Sequence, residues 1–515
     1  MLNLDARKML GASAAVAAAT GGPDTRAQKQ SQLSPEALAV ASIATRPAIS
    51  PIVLAGFVRA IEATLIALVG TLAFYVYVFP VEGLQFPYIF AVAGISVLSV
   101  VAFQAVDIYQ VHAFRRPFRQ IARLASAWSV VFLFAIAVAF FFKLDLTLSR
   151  VWLLSFYIVG LAVLLAFRAA LHVMVKKWMG DGRLSRRTVI VGGGVPGEVL
   201  IDALKAQQDD DVRVIGVFDD RNDERSPTHC GGFRKLGTVD DFVEFARRTR
   251  VDLVIFSLPI SAENRILSML KKLWVLPVDI RLSAHSNKLR FRPRSYSYIG
   301  TVPVLDVFDR PIADWDVVMK WLFDKIVGGL MLIAALPIMA VIAVAIKLDS
   351  RGPVLFKQKR YGFNNNLIEV YKFRSMYVDQ TDPNANKLVT RDDPRVTRVG
   401  RFIRKASLDE LPQLFNVVFK GNLSLVGPRP HAVNAKAEAR LYDEAVDGYF
   451  ARHRVKPGVT GWAQINGWRG ETDTQEKIQK RVEYDLYYIE NWSVLFDIYI
   501  VLMTPFALLK SENAY

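Results

Sequence analysis

The sequence predicts a membrane protein that joins an α-helical bundle to α/β domains. Three observations predict it. Four apolar runs, each long enough to cross a bilayer, follow one another between residues 52 and 174. A strand, a glycine loop and a helix-like stretch start at Thr188. A fifth apolar run, 326–346, lies just ahead of a strongly basic block. The layout read from these is a tail over 1–50, a four-helix transmembrane bundle over 51–178 and a Rossmann-like parallel-sheet domain over 185–300. A re-entrant membrane helix over 315–349, broken at Pro337, and a small membrane-associated α/β domain over 350–515 complete it.

Composition agrees. The 515 residues are too many for one domain of ordinary size. Hydrophobic residues make up 52%, charged residues 22%, and the mean hydropathy is +0.25, between a soluble protein and an all-membrane transporter. Lysine and arginine number 64 against 48 acids, a net charge of +16. Such a surplus suits anionic headgroups, nucleic acid or phosphorylated substrates. A single cysteine, Cys230, excludes an internal disulfide, and with only six histidines a structural zinc site is disfavoured.

In chain order, Arg7 and Lys8 precede a weak apolar run (Met9 to Thr20) that superficially resembles a signal peptide. The Ala-, Ser-, Gln- and Pro-rich composition favours a disordered cytosolic tail instead. The apolar runs cover about 52–79, 83–106, 124–142 and 151–174. Each can span the ~30 Å hydrocarbon core. Arg59 and Glu62 interrupt the first, one helical turn apart, and could pair with each other; Arg168 lies near one end of the fourth, where it can snorkel. Arg115, Arg116, Arg119 and Arg123 load the second connection, whereas the first has no Lys or Arg. The positive-inside rule then places both ends of the bundle in the cytosol. Residues 112–123 read as a basic interfacial segment.

Thr188 to Val191 runs into Gly192, Gly194 and Gly197, spaced as G-x-G-x-x-G, and a second strand ends at Asp219. That is a dinucleotide fingerprint, with glycines for the pyrophosphate and an acid for the ribose. A structural or regulatory role is the stronger reading of this domain. In the fifth run, 21 uncharged residues surround Pro337. Residues 347–405 carry 14 Lys/Arg and 6 Asp/Glu, so both flanks favour the cytosolic side, and a helix–break–helix reconciles them.

The last block carries the chemistry. Lys372 and Arg374 end an alternating stretch beside Ser375, an arrangement suited to a phosphate. Ser407 and Glu410 match a capping box, which sets Asp409 at the second position of a new helix with Pro412 distorting its first turn. Adjacent Asp409 and Glu410 amid Arg404 and Lys405 can hold Mg²⁺, and an aspartate can accept a phosphoryl group. Gly427-Pro428-Arg429-Pro430 and Lys456 to Gln464 form two rigid turns that can shape a pocket. Residues 491–510 read as an amphipathic interfacial helix bent at Pro505.

These motifs, in this order, resemble the polyprenyl-phosphate hexose-1-phosphate transferases, bacterial enzymes that start exopolysaccharide, capsule or O-antigen synthesis. The resemblance is carried by Gly352 to Arg360, Tyr371 to Met376, Ser407 to Gln413, Leu425 to Pro430, Lys456 to Gly458 and Gly461 to Gln464, and the layout extends it over about 50–515. It implies transfer of a sugar phosphate from a UDP-sugar, glucose before galactose, to undecaprenyl phosphate through a covalent Asp409 intermediate, releasing UMP. It implies Mg²⁺, with Mn²⁺ as an alternative, at Asp409 and Glu410. Lys372 and Arg374 are implied in catalysis, and Arg404 and Arg429 on the phosphates. Gly427, Pro428, Pro430, Pro457, Gly458 and Gln464 are implied around the uridine. Asp485 resembles a family acid near the site, with a surface salt bridge as the other reading. Also implied are anionic lipids, a homodimer, downstream glycosyltransferases, and an inner-membrane location with the catalytic domain in the cytosol. No nucleic-acid motif is present. A tethered nucleotide-sugar dehydratase is disfavoured because no tyrosine has lysine four positions on. A catalytically dead scaffold is disfavoured because the acids and flanking cations are all present.

Overall fold

The computed structural model describes residues 33–109, 117–141, 148–207, 212–221, 228–259, 262–284, 297–299, 302–378, 393–431, 436–437, 440–441, 449–468 and 474–510. The signal-like run and residues 112–116 of the basic segment 112–123 lie outside them. Ala44–Arg186 with Gln208–Arg213 form one unit; Met1–Ile43, Arg187–Gln207 and Val214–Tyr515 form the other.

Part of the expected tail is ordered. Helix α1 (Pro35–Ser42) has Ser34 as its N-cap, with the side chain accepting from Ala37 N, and Pro35 at its first position. Ser34 Oγ also donates to Leu236 O at 2.8 Å, and Leu33 and Ala37 join the core of the sheet domain.

Among the described residues, four long helices make up most of the first unit: α2 (Pro51–Tyr77), α3 (Phe86–Ala105), α4 (Pro117–Phe141) and α5 (Arg150–Gly180). All are long and apolar enough to cross a membrane. Helix α5 continues six residues past the predicted end of its apolar run, into the basic cap. Trp128, Trp152, Phe156 and Tyr88 form an aromatic centre, and Trp152 Nε1 donates to Gly70 O at 3.2 Å. The Arg59–Glu62 pair that the spacing allows does not form. Glu62 instead holds Arg168 from α5 in a two-pronged ion pair, at 2.6 and 2.9 Å, with both side chains buried. Arg168 therefore does not snorkel. A planar guanidinium matches both carboxylate oxygens, and Arg59 lies over the Tyr109 ring, 5.0 Å from its centroid.

The sheet domain comprises β1 (Arg186–Val191), α6 (Val195–Lys205), β2 (Val212–Phe218), β3 (His229–Cys230), β4 (Phe233–Gly237), α7 (Val239–Arg248), β5 (Leu253–Phe256), α8 (Glu263–Leu273), β6 (Asp279–Ser283), β7 (Ser297–Ile299) and β8 (Val302–Phe308). Strand order is β3-β4-β2-β1-β5-β6-β8-β7. The pairs β2–β4, β1–β5 and β5–β6 are parallel, as predicted. The flanks are antiparallel, at β3–β4 and β6–β8–β7, so the sheet is mixed and runs eight residues past the expected boundary.

A single 36-residue helix, α9 (Asp314–Asp349), follows. It stays helical through Pro337, so any change of direction there is a bend inside a helix and not the predicted break. Proline removes one backbone donor, and the remaining bonds carry the helix onward. The last domain contains the antiparallel pair β9 (Leu355–Tyr361) and β10 (Leu367–Phe373), helix α10 (Arg398–Lys405), and the parallel pair β11 (Ser424–Val426) and β12 (Gly458–Thr460). Helices α11 (Gln475–Glu490) and α12 (Val494–Lys510) close it, the latter with Pro505 inside. One face of α9 (Phe323, Leu332, Ala335, Met339, Ile342, Ile346) belongs to the same apolar core as Phe373, Leu425, Ile489 and Ile500.

Candidate active site

The site begins where α10 ends. Ser407 has φ +56°, a left-handed conformation uncommon outside glycine and asparagine. Its side chain does not cap the next turn, so the predicted capping box is absent. Leu408–Glu410 form one 3₁₀ turn rather than the start of a regular helix, and Pro412 separates it from Gln413–Phe415 and a π turn at Asn416–Lys420. The reason lies in Glu410. Its carboxylate takes Lys372 Nζ at 2.9 Å and Arg429 Nη2 at 2.6 Å, with Arg429 Nη1 at 3.2 Å. Two charged partners outweigh one backbone amide.

Asp409 is left beside this triad. Among the described residues none donates a hydrogen bond to its carboxylate at the distances above. Burial pushes its pKa up to about 6, with Glu410 adding to the rise and Lys372, Arg404 and Arg429 opposing it. One acid is thus ion-paired with lysine and arginine, and its neighbour stands next to the same cations. Such an arrangement can receive a phosphoryl group and its negative charge.

Lys372 and the Asp409 segment are tied together by Asn416, which is fully buried. Its Oδ1 accepts from Tyr371 N at 3.0 Å, and its Nδ2 donates to Glu369 O at 2.6 Å. Arg374, predicted on the phosphates, is placed otherwise. Its guanidinium is buried and donates to Arg351 O (2.6 Å), Ser350 O (2.7 Å) and Ile346 O (3.3 Å), closing the C-terminal end of α9. Orphan carbonyls at a helix end attract such a cation.

The turn carrying Arg429 is clamped between two strands. Gly427 N donates to Thr460 O at 2.9 Å and Gly458 N to Pro428 O at 3.0 Å. A Cβ on Gly458 would lie 2.1 Å from Gly427 N, so the approach requires glycine. Gly427, Pro428, Pro430, Pro457 and Gly458 therefore do come together, next to Arg429. Gln464 is buried in the short helix Trp462–Ile465, and its Oε1 accepts no hydrogen bond from the described residues. Asp485 is neither on the surface nor open to a substrate. It is buried on α11 and paired with Arg452 at 2.6 Å. Sequence reasoning missed Arg452, Asn416, Lys320 and Arg360, because each acts on a segment 45 or more residues away or on a main-chain atom.

The glycine fingerprint has the predicted geometry but a different occupant. Gly192 and Gly194 have positive φ, and a Cβ on Gly197 would sit 2.8 Å from Gly192 O. Asp219 is buried, and its Oδ2 accepts from Gly193 N at 2.7 Å and from Arg221 Nη2 at 2.7 Å. Burial alone would raise its pKa; the bonds from Arg221 and Gly193 hold it at about 2. Asp219 thus fills the loop amide from within and does not face a ribose.

Residues 315–511 match the family model described as bacterial sugar transferase, and 104–284 match the one described as CoA-binding domain. An undecaprenyl-phosphate glucose phosphotransferase of Komagataeibacter xylinus is 41% identical over 342 residues, 65% of this chain and 61% of that protein. A UDP-glucose:undecaprenyl-phosphate glucose-1-phosphate transferase of Escherichia coli K12 is 36% identical over 399 residues, 77% of this chain and 83% of that protein. A UDP-N-acetylgalactosamine-undecaprenyl-phosphate N-acetylgalactosaminephosphotransferase of Aeromonas hydrophila is 43% identical over 179 residues, 35% of this chain and 40% of that protein. With the ion-pair site intact and the alignment covering most of the second relative, the chain belongs to the polyprenyl-phosphate sugar phosphotransferases.

Proposed function

We propose that the protein transfers glucose 1-phosphate from UDP-glucose to undecaprenyl phosphate in two displacements at Asp409. In the first, an Asp409 carboxylate oxygen forms a bond to the β-phosphorus of UDP-glucose. The bond from that phosphorus to the bridging oxygen breaks, and UMP leaves with the electron pair. In the second, a phosphate oxygen of undecaprenyl phosphate bonds to the same phosphorus and Asp409 leaves as carboxylate. The products are undecaprenyl-diphosphate glucose and UMP. The observation that carries this reading is the contrast within the acid pair. Glu410 is occupied by Lys372 and Arg429, while Asp409 keeps its carboxylate for chemistry.

In phosphoryl transfer most of the catalysis is positioning and charge neutralisation. Lys372, Arg404 and Arg429 surround the acids and supply the positive charge. Mg²⁺ prefers one or two carboxylates together with substrate phosphates. The described residues contain no cluster of three or more ligand-type side chains, which fits an ion held mainly by the diphosphate, with Asp409 as the open protein ligand. When bound it would neutralise diphosphate charge. The glycine–proline turns at 427–430 and 457–461 are the rigid wall for the uridine. Glucose is favoured by the names of the Komagataeibacter and Escherichia relatives, although the Aeromonas relative is named for another sugar.

The catalytic domain is assigned to the cytosolic face of the bacterial inner membrane, with α9 re-entrant. Two anchors support the re-entrant path of α9. Near its start, Asp324 Oδ1 accepts from Ser424 Oγ (2.9 Å) and Leu425 N (3.0 Å). Near its end, Asp349 Oδ2 accepts from Val399 N at 3.1 Å. These anchors are ~37 Å apart on a straight helix, yet both are on the same domain. Its other face exposes Leu330, Ile333, Val341 and Val344, which suits lipid.

The test is turnover of purified protein with undecaprenyl phosphate and UDP-glucose, UDP-galactose or UDP-N-acetylgalactosamine. UMP released fastest from UDP-glucose is the expected result. Release of UDP instead would rule out sugar-phosphate transfer, and a faster second sugar would overturn the donor assignment.

A further inference from the structure

The turn 426–430 is gripped by three cations through its main chain. Lys320 Nζ donates to Val426 O at 2.9 Å and is paired with buried Asp497 at 2.6 Å. Arg360 Nη1 donates to Pro430 O at 2.9 Å. Arg452 Nη2 donates to Arg429 O at 2.7 Å. Of these, only Arg452 holds the residue whose side chain reaches Glu410. It is fully buried, and both terminal nitrogens of its guanidinium are engaged, while Nε makes no hydrogen bond to the described residues. Asp485 Oδ2 lies 2.6 Å from Nη2, His431 Nδ1 accepts from Nη1 at 2.8 Å, and the Tyr449 ring lies beneath it, 5.4 Å to its centroid. A buried cation paired with a single acid is expensive to keep in a protein interior. Here its second bond ends on one carbonyl of the active-site turn.

We propose that Arg452 is a positioning residue for the sugar-phosphate transfer. By holding the Arg429 carbonyl it fixes the direction from which the Arg429 side chain meets Glu410, and Asp485 is its counter-charge. This rests on the two-displacement reading above. Arg452 touches no substrate. Its effect reaches Asp409 only through Arg429 and Glu410. Lysine at this place keeps the charge against Asp485 but cannot also reach His431 and the Arg429 carbonyl, because it lacks the guanidinium fork.

Two measurements on the full-length protein test this. The first is a double-mutant cycle on UMP release with Arg452→Lys, Arg429→Ala and the double variant. Arg452→Lys should lower kcat about a hundredfold, the scale of a misplacement near 1 Å, with the KM for UDP-glucose nearly unchanged. The double variant should fall no further than Arg429→Ala, since residues acting through one another are not additive. The second is amide hydrogen exchange of the 424–431 peptide. It should quicken in Arg452→Lys while β9 and β10 keep their rates. Additive losses in the cycle, or an unchanged 424–431 peptide in a folded Arg452→Lys, would overturn the proposal. If the wild-type protein forms no UMP from any donor, the two-displacement reading fails, and the exchange experiment still decides whether Arg452 holds the turn.

Discussion

Two acid–arginine sites in this chain, one buried and one half-buried, solve opposite problems. In the membrane bundle, Glu62 and Arg168 satisfy each other fork to fork, and no acid is left over. In the catalytic domain, Glu410 is similarly held by Lys372 and Arg429, but Asp409 stands beside it with its carboxylate open. The first arrangement joins α2 to α5. The second concentrates positive charge next to the acid proposed as nucleophile. The difference lies in one extra acid, on a 3₁₀ turn that the chain enters through the left-handed Ser407.

Breaking each site should therefore give a different failure. Glu62→Gln leaves Arg168 buried without its counter-charge, a loss of about 3–5 kcal/mol of stability. Thermal unfolding in detergent should fall sharply, while kcat per folded molecule stays at the wild-type value. Glu410→Gln should do the reverse. It releases Lys372 and Arg429, and kcat should drop about a hundredfold, ~2.7 kcal/mol of transition-state stabilisation. Its unfolding temperature should change little. Arg374→Met sharpens the contrast within the catalytic motifs. It should cost about 1–3 kcal/mol in stability by uncapping α9, measured by thermal unfolding, and leave the KM for UDP-glucose unchanged.

The smallest effect concerns pH. Burial holds His431 and His453 well below the ordinary histidine range, and the Arg452 charge adds to it in both. The folded protein keeps them neutral, whereas the unfolded chain takes up protons below ~6.5. Their stabilisation is thus present above that pH and is lost as pH falls. The free energy of unfolding should decline from pH 7 to 5.5, by up to ~1.4 kcal/mol per histidine per pH unit, and the unfolding temperature should fall with it. His431→Gln should flatten that decline.

Much of this was legible in the sequence because it is local. Apolar length located α2 to α5, glycine spacing located the β1–α6 loop, and motif order located Asp409, Glu410, Lys372 and Arg429. Pairing across distance was not legible. Arg59 and Glu62 are neighbours on one helix, yet Glu62 meets Arg168, 106 residues away. The capping rule for Ser407 and Glu410 considers four residues, and Glu410 is taken by partners 38 and 19 residues away. Arg374 follows a phosphate-like pattern but ends on helix carbonyls. Arg452 acts on a main-chain oxygen, which leaves no side-chain signature to read.

The central claim is that Asp409 carries the sugar phosphate. Its most direct test is intact mass of the protein mixed with UDP-glucose and Mg²⁺, without undecaprenyl phosphate, beside Asp409→Asn. The account predicts one equivalent of UMP and one added hexose-phosphate mass in the wild type, with neither in the variant. UMP formation only after undecaprenyl phosphate is added, with no adduct at any time, would contradict it.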